Sequence, residues 1–384
     1  MPRQRQSPDQ GNFIWSIKYT ESIKYTGYLK EKACLGCWVL QVLGMEYFRQ
    51  GRFRGRHLVH GQEGVYHVTS RTSCGQYLFD DEAKGRFLKL LRKQAGFCGV
   101  DVLAYCVMGN HFHLLVSVPE GREVSDVELL RRYRLLYDAK QCPPSAPLPD
   151  ILAELLEQND EEGQQLRARL LARMHDLSAF VRELKQRFGI WYNHRHGNKG
   201  TIWADRFNSV IVEATQEALS TVAAYIDLNP VRAELVADPS EYRYSSYGRA
   251  MGGNREARRG YERVFCLSAR WKCVLQSYNL ILYGKGYNSK GVEGKDRGRI
   301  DPETVRRVLE NKGKLPLSDV LRLRVRYFTA GTAIGSASFL KEVAAGLRDR
   351  HGLERKRDAY PMRSGEWGDL RSFRNLQVQP VASS

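Results

Sequence analysis

The sequence predicts an α+β chain built on a split βαβ, ferredoxin-like antiparallel sheet, with helices on one face and a further helical region toward the C-terminal end. Three observations lead there. Four short runs of strand formers, at 64–72, 100–107, 111–118 and 206–213, are separated by stretches whose apolar residues recur at helical spacing. Their order from residue 64 is strand, helix, strand, strand, helices, strand, helix. The tripeptide MGN at 108–110 joins the second and third runs through a tight Gly-Asn turn, which predicts an antiparallel hairpin.

Each element has its own signal. GVYHVTSRT (64–72) reads as the first strand, and Ala83, Phe87, Leu90 and Leu91 set a helix across 80–95. VDVLAYCV and HFHLLVSV follow as the hairpin. Ser125 and Glu128 form a capping box that starts a helix reaching about Lys140, and the Pro-rich CPPSAPLPD at 142–150 breaks it. A long helical tract then runs to about Asn193, with Leu177, Phe180, Val181, Leu184 and Phe188 as one apolar stripe. RFNSVIVE (206–213) is the fourth strand, and a helix over 216–228 ends at Asn229-Pro230.

Composition narrows the partners. A chain of 384 residues corresponds to about two domains, and 42% hydrophobic residues are enough for buried cores. Sixty Lys and Arg against 43 Asp and Glu leave a net charge of +17. That charge points to a polyanion, nucleic acid before an anionic membrane. The most apolar run, ACLGCWVLQVLG at 33–44, is interrupted by Gln41. It falls short of the roughly 18 residues a spanning helix needs, so the expectation is a soluble, cytoplasmic, nucleoid-associated protein without a membrane partner. Eight scattered cysteines read as reduced thiols, and a single CxxC at Cys34 and Cys37 lacks the second pair of a zinc ribbon.

Residues 1–44 form an atypical leader containing SIKYT twice, at 16–20 and 22–26; either translation starts at Met45 or the leader is disordered. Residues 45–250 hold the compact pattern. It is preceded by Arg49, Arg52, Arg54 and Arg56 alternating with Tyr47, Phe48 and Phe53, which is either a single-strand-binding arm or a solvated basic leader. Gly-rich basic stretches such as MGGNREARRG mark 251–300 as a linker region. From Asp301-Pro302, short helices over 301–352, among them LSDVLRLRVRYF at 317–328, suit a helix-turn-helix unit or a plain helical packing domain. Residues 353–384 read as a flexible tail.

Two constellations could carry chemistry. His111 and His113, two apart on a strand, share one face and can reach a single cation; the bland alternative is a pair of satisfied core histidines. His194 and His196 have the same spacing but sit in the polar NHRHGNKG, which reads as a loop with no strand to fix them. On the helix at 216–228, Tyr225 and Asn229 lie one turn apart. A phenol there could attack a phosphodiester and an amide oxygen could complete a metal shell. With twenty tyrosines in the chain, composition alone does not single out Tyr225.

GVYHVTSRT, GNHFHLLV, RFNSVIVE, and AAYIDLNPVRAELV followed by YRYSSY resemble, in that order, the REP-associated tyrosine transposases of the HUH single-strand nucleases, over roughly residues 50–250. The resemblance implies that His111 and His113 bind a divalent metal, Mg²⁺ or Mn²⁺, and that Tyr225 is the nucleophile. It makes Asn229 the third ligand, a position that is often Gln or another amide in relatives. It also implies single-stranded DNA with hairpins as partner, with a homodimer as one option for assembly. Trp191, Lys199, Trp203 and Arg206, in FGIWYNHRHGNKGTIW and WADRF, would add stacking platforms and phosphate contacts. The function expected is a single-strand DNA endonuclease and strand transferase acting through a 5′-phosphotyrosine. No GxxxxGK[ST] string is present. The alternatives are a domesticated binder that organises repeats without cutting and, less favoured, an RNA-binding sandwich, whose central strands would present aromatics where this one presents histidines.

Overall fold

The computed structural model describes residues 63–121, 123–137, 142–143, 146–265, 271–283, 316–323, 325–351, 359–363 and 365–373. The leader, the four arm arginines and Asp301-Pro302 lie outside these residues.

Strands β1 (Gly64–Arg71), β2 (Asp101–Val107), β3 (His111–Val118) and β4 (Asn208–Val212) pair in the order β2-β3-β1-β4. Every pairing among them is antiparallel, as a split βαβ sheet requires. The hairpin closes as the Gly-Asn pair predicts: Val107 lies opposite Phe112, and the Met108 N–H donates to the His111 carbonyl at 2.8 Å.

Residues on successive positions of β3 point to opposite sides. On one side Phe112 meets Phe87 of α1 (Asp81–Cys98) with ring centroids 4.8 Å apart, and Phe87 meets Phe188 at 5.4 Å. Full burial of each ring contributes roughly 1.5–3 kcal/mol. Helix α1 starts where the Asp80 carboxylate accepts from the Ala83 N–H and stops at left-handed Gly99. This is the helical layer the pattern predicts, and the other face of the sheet carries helices as well.

The single tract expected up to Asn193 is three helices, α3 (Pro149–Gln158), α4 (Glu161–Leu171) and α5 (Leu177–His196), preceded by α2 (Asp126–Leu136). Asn159 exits α3 in the left-handed region, and Asp160 and Asp176 cap the next two helices. Local side-chain acceptors outweigh the continuous apolar stripe.

After β4 come α6 (Gln216–Asp227) and the short turn α7 (Asn229–Arg232), then α8 (Ser246–Met251), α9 (Arg255–Val264) and α10 (Trp271–Tyr283). Much of the expected linker is thus helical. Buried Tyr261 and Tyr278 donate to the Asp227 carboxylate at 2.6 and 2.5 Å and tie α9 and α10 to α6.

The expected C-terminal helical region is present, but its pieces are laid out differently. LSDVLRLRVRYF is not one amphipathic helix: it gives α11 (Leu317–Arg322) and, after an interruption, α12 (Tyr327–Ala330). TAGTAIGS supplies β5 (Ala333–Gly335), parallel to β4 with Ile211 opposite Ala333, and α13 (Ala337–His351) follows. Part of the supposed tail is structured, since β6 (Tyr360–Pro361) and β7 (Arg371–Ser372) extend the same sheet. The apolar Ala333, Ile334, Trp367 and Leu370 gain more by burial than as a solvated unit. Among the described residues, no helix is long and apolar enough to cross a membrane.

Candidate active site

The sheet face opposite Phe112 presents His111 and His113 from β3 and His67 and Arg71 from β1, Arg71 standing directly across from His111. His113 and His67 are buried, and His111 is half-buried. The rings of His111 and His113 lie 5.1 Å apart. Helix α6 brings Tyr225 to the same place, its ring 6.1 Å from His113 and 6.0 Å from His67, edge-on to both.

Two groups take the faces of the Tyr225 ring. Phe328 stacks on it at 4.4 Å and 25°, and the Arg232 guanidinium lies 4.2 Å from its centroid. At such distances they cannot share a side. Arg232 also donates to the Tyr225 and Leu321 carbonyls, both at 2.6 Å, and so fastens α6 to α11.

Residues 62–130 match the family described as Transposase IS200 like. That segment contains β1, α1, β2 and β3, and with them His67, His111 and His113 but neither Tyr225 nor Asn229. A solved structure of a REP-associated tyrosine transposase bound to a REP hairpin is 17% identical, over 54% of this chain and 90% of that one, with a TM-score of 0.33. No curated protein matches the chain.

The hydrogen bonds fix which imidazole nitrogens carry protons. His67 Nδ1 lies 2.7 Å from the Phe328 carbonyl, and since a carbonyl only accepts, that nitrogen is the donor. His67 is fully buried, where a charged ring is costly, and with Nδ1 donating to the carbonyl the Nε2 of the neutral ring accepts. His113 Nδ1, 2.9 Å away, must therefore donate to it, which makes Nε2 the basic nitrogen of His113. His113 is itself held well below the usual histidine range, first by burial and then by His111, His67, Arg232 and Arg71. His111 Nδ1 faces Asn110 Oδ1 at 2.6 Å, and since an amide oxygen only accepts, Nδ1 donates there.

Imidazoles that donate from Nδ1 and stand side by side on one sheet face can offer Nε2 to a divalent cation. Among the described residues, no set of three His, Cys, Asp or Glu could hold a metal, so a third ligand drawn from them would be of another kind. Asn229 is the candidate. Pro230 has no N–H to give the Ile226 carbonyl, and the Asn229 side-chain amide takes its place at 3.0 Å, also reaching the Tyr225 carbonyl at 3.3 Å. That repair of the helix end occupies Nδ2, and Oδ1 is the atom with ligand chemistry.

The expected nucleic-acid contacts divide. Lys199 and Arg206 are exposed and Trp191 is half-buried beneath Arg86, whose guanidinium carbon lies 6.0 Å from its ring. Trp203 is no stacking platform. It is 9% exposed, packs on Phe79, Phe112 and Phe188, and donates its indole N–H to the Lys185 carbonyl at 3.0 Å. His194 and His196 lie on the last turn of α5, not in a loop. Two positions apart on a helix they point in different directions, and His196 stacks on Tyr192.

Sequence reasoning missed His67, Arg71 and Tyr77. Tyr77 is 84% exposed, and its ring lies against Gly109, where a Cβ would come within 2.6 Å of it. Arg71 pairs with His111 at the end of β1, and Tyr77 lies against the turn that leads into His111; the alternation of VYHVTSR was the one signal that His67 and Arg71 share a face.

Proposed function

We propose that the chain is a transposase-like, metal-dependent endonuclease and strand transferase for single-stranded DNA carrying hairpins, with Tyr225 as nucleophile. The observation that carries this reading is the meeting of His113 and Tyr225, 112 positions apart in the chain, at a ring separation of 6.1 Å. The match of residues 62–130 to IS200-like transposases supports it.

His111 and His113 would hold Mg²⁺ or Mn²⁺ through Nε2, with Asn229 Oδ1 as third ligand. Imidazole is an unusual partner for Mg²⁺, so Mn²⁺ should serve at least as well. Bound there, the cation would neutralise a non-bridging phosphate oxygen as charge builds. The Tyr225 oxygen forms a bond to phosphorus, the bond from phosphorus to the 3′ oxygen breaks, and the phenolic proton is matched by one gained at that oxygen through solvent. The products are a 5′-phosphotyrosine and a free 3′ hydroxyl. The tyrosyl ester keeps the linkage energy, so attack by a second 3′ hydroxyl rejoins DNA without ATP. Arg71, Lys199 and Arg206 supply phosphate contacts, and Tyr77 and Trp191 offer ring faces for unpaired bases. A net charge of +17 adds attraction to DNA and agrees with residence on the nucleoid.

A second reading draws on one observation: Tyr225 is only 3% exposed beneath Phe328. A binder that never cuts would tolerate that cover. Incubation with a 3′-end-labelled hairpin oligonucleotide and Mn²⁺, followed by denaturing electrophoresis, separates the two. The nuclease reading expects label at the mass of the protein, lost in Tyr225→Phe, whereas the binder leaves the label on free DNA.

A further inference from the structure

We propose that His67 is a positioning residue for the cation site: braced by the main-chain carbonyl of Phe328, it holds the His113 imidazole with Nδ1 as donor, so that Nε2 is the nitrogen turned toward a divalent cation. This rests on the reading of His111 and His113 as ligands.

His67 is fully buried at the centre of β1, next to the strand that carries the pair. Both its nitrogens are engaged, Nδ1 at 2.7 Å from the Phe328 carbonyl and Nε2 at 2.9 Å from His113 Nδ1. It is therefore not a third ligand. The rings of His67 and His113 lie 5.2 Å apart at 19°, so a turn of one is resisted by the other. A ligating histidine needs its second nitrogen fixed by an outer partner, which sets both tautomer and ring direction. A carboxylate or carbonyl usually does this directly; here a second imidazole passes the constraint on to a carbonyl. That carbonyl is 261 positions away in sequence. Helix α12, from the far end of the chain, thereby takes part in orienting a ligand on β3.

The test is Mn²⁺ affinity of the full chain, measured by electron paramagnetic resonance of the free ion, for wild type, His67→Leu and His67→Gln. Glutamine can accept from His113 through Oε1 and donate to the Phe328 carbonyl through Nε2, whereas leucine can do neither. The expected result is a loss of about 10- to 100-fold in His67→Leu, with most of it recovered in His67→Gln. Equal affinity in wild type and His67→Leu overturns the role of His67 and leaves the metal site standing. A His67→Gln protein as weak as His67→Leu overturns the hydrogen-bond argument. Absence of Mn²⁺ binding by the wild type overturns both the inference and the site beneath it.

A second measurement needs no variant. In ¹⁵N-histidine-labelled protein, the imidazoles broadened by substoichiometric Mn²⁺ should carry their proton on Nδ1 in the metal-free state. Protons on Nε2 would contradict the relay.

Discussion

Phe328 stacks on Tyr225 with ring centroids 4.4 Å apart, and in doing so the C-terminal part of the chain covers the phenol at the centre of the site. Removing that ring should expose Tyr225 while the carbonyl at position 328 stays in place. For Phe328→Ala we expect a stability loss of about 3–5 kcal/mol and faster nitration of Tyr225 by tetranitromethane. Tyr77, already 84% exposed, serves as the internal reference. An unchanged ratio of the two nitration rates would mean that Phe328 does not shield the phenol.

Asp227 holds α6 from behind. Its buried carboxyl is pushed up from 3.8 to about 7 by burial, against the pull of Tyr261, Tyr278, a backbone bond at Tyr247 and Ser246. The unfolded chain releases this proton at lower pH than the folded one. The stability contributed by this group is thus greatest in acid and falls as pH rises between roughly pH 4 and 7, by up to about 4 kcal/mol, and is level above that. Asp227→Asn has no such titration. Urea denaturation of both proteins should give a stability difference that shifts in favour of the variant across that window and then stays constant. A difference independent of pH would contradict the placement of Asp227.

Trp203 and the exposed cations should separate cleanly. Trp203→Ala is expected to cost about 3–5 kcal/mol of folding stability and to leave the salt dependence of oligonucleotide binding unaltered. Lys199→Ala and Arg206→Ala should barely affect stability while lowering the slope of log affinity against log salt by about 0.7 each for a single strand. Fluorescence anisotropy across a salt series reads the slopes, and thermal melts read the stabilities. Slopes unchanged by either alanine would remove those residues from the interface.

His113→Ala should abolish hairpin cleavage but leave hairpin affinity in metal-free buffer within about twofold, because the basic surface that dominates affinity is untouched. Loss of binding in step with cleavage would mean that the histidines serve the architecture rather than the chemistry.

What could be read from the amino acids follows from the range of the interactions. The β2–β3 hairpin and its paired histidines are local, set by a period of two and a Gly-Asn turn, and the structure has them at those positions. The helix of Tyr225 is equally local, begun by Thr215, whose hydroxyl accepts from the Ala218 N–H. His67 was hidden because an imidazole within VYHVTSR looks like any core histidine until its partner on β3 is known. Phe328 was hidden more deeply, since its contacts with His67 and Tyr225 cross most of the chain. The apparent helical period of LSDVLRLRVRYF also concealed the interruption before α12 that delivers it. Trp203 was misread because WADRF offers an aromatic among charges, and only packing against Phe112 and Phe188 reveals an inward indole.

Peptide mapping of the protein–DNA adduct addresses the catalytic claim most directly. After reaction with a hairpin oligonucleotide and Mn²⁺, nuclease trimming and proteolysis, mass spectrometry should find a nucleotide 5′-phosphate esterified to Tyr225 and to no other tyrosine. An adduct on a different residue, or none with any hairpin substrate in protein that binds Mn²⁺, would contradict the assignment of Tyr225 as the nucleophile.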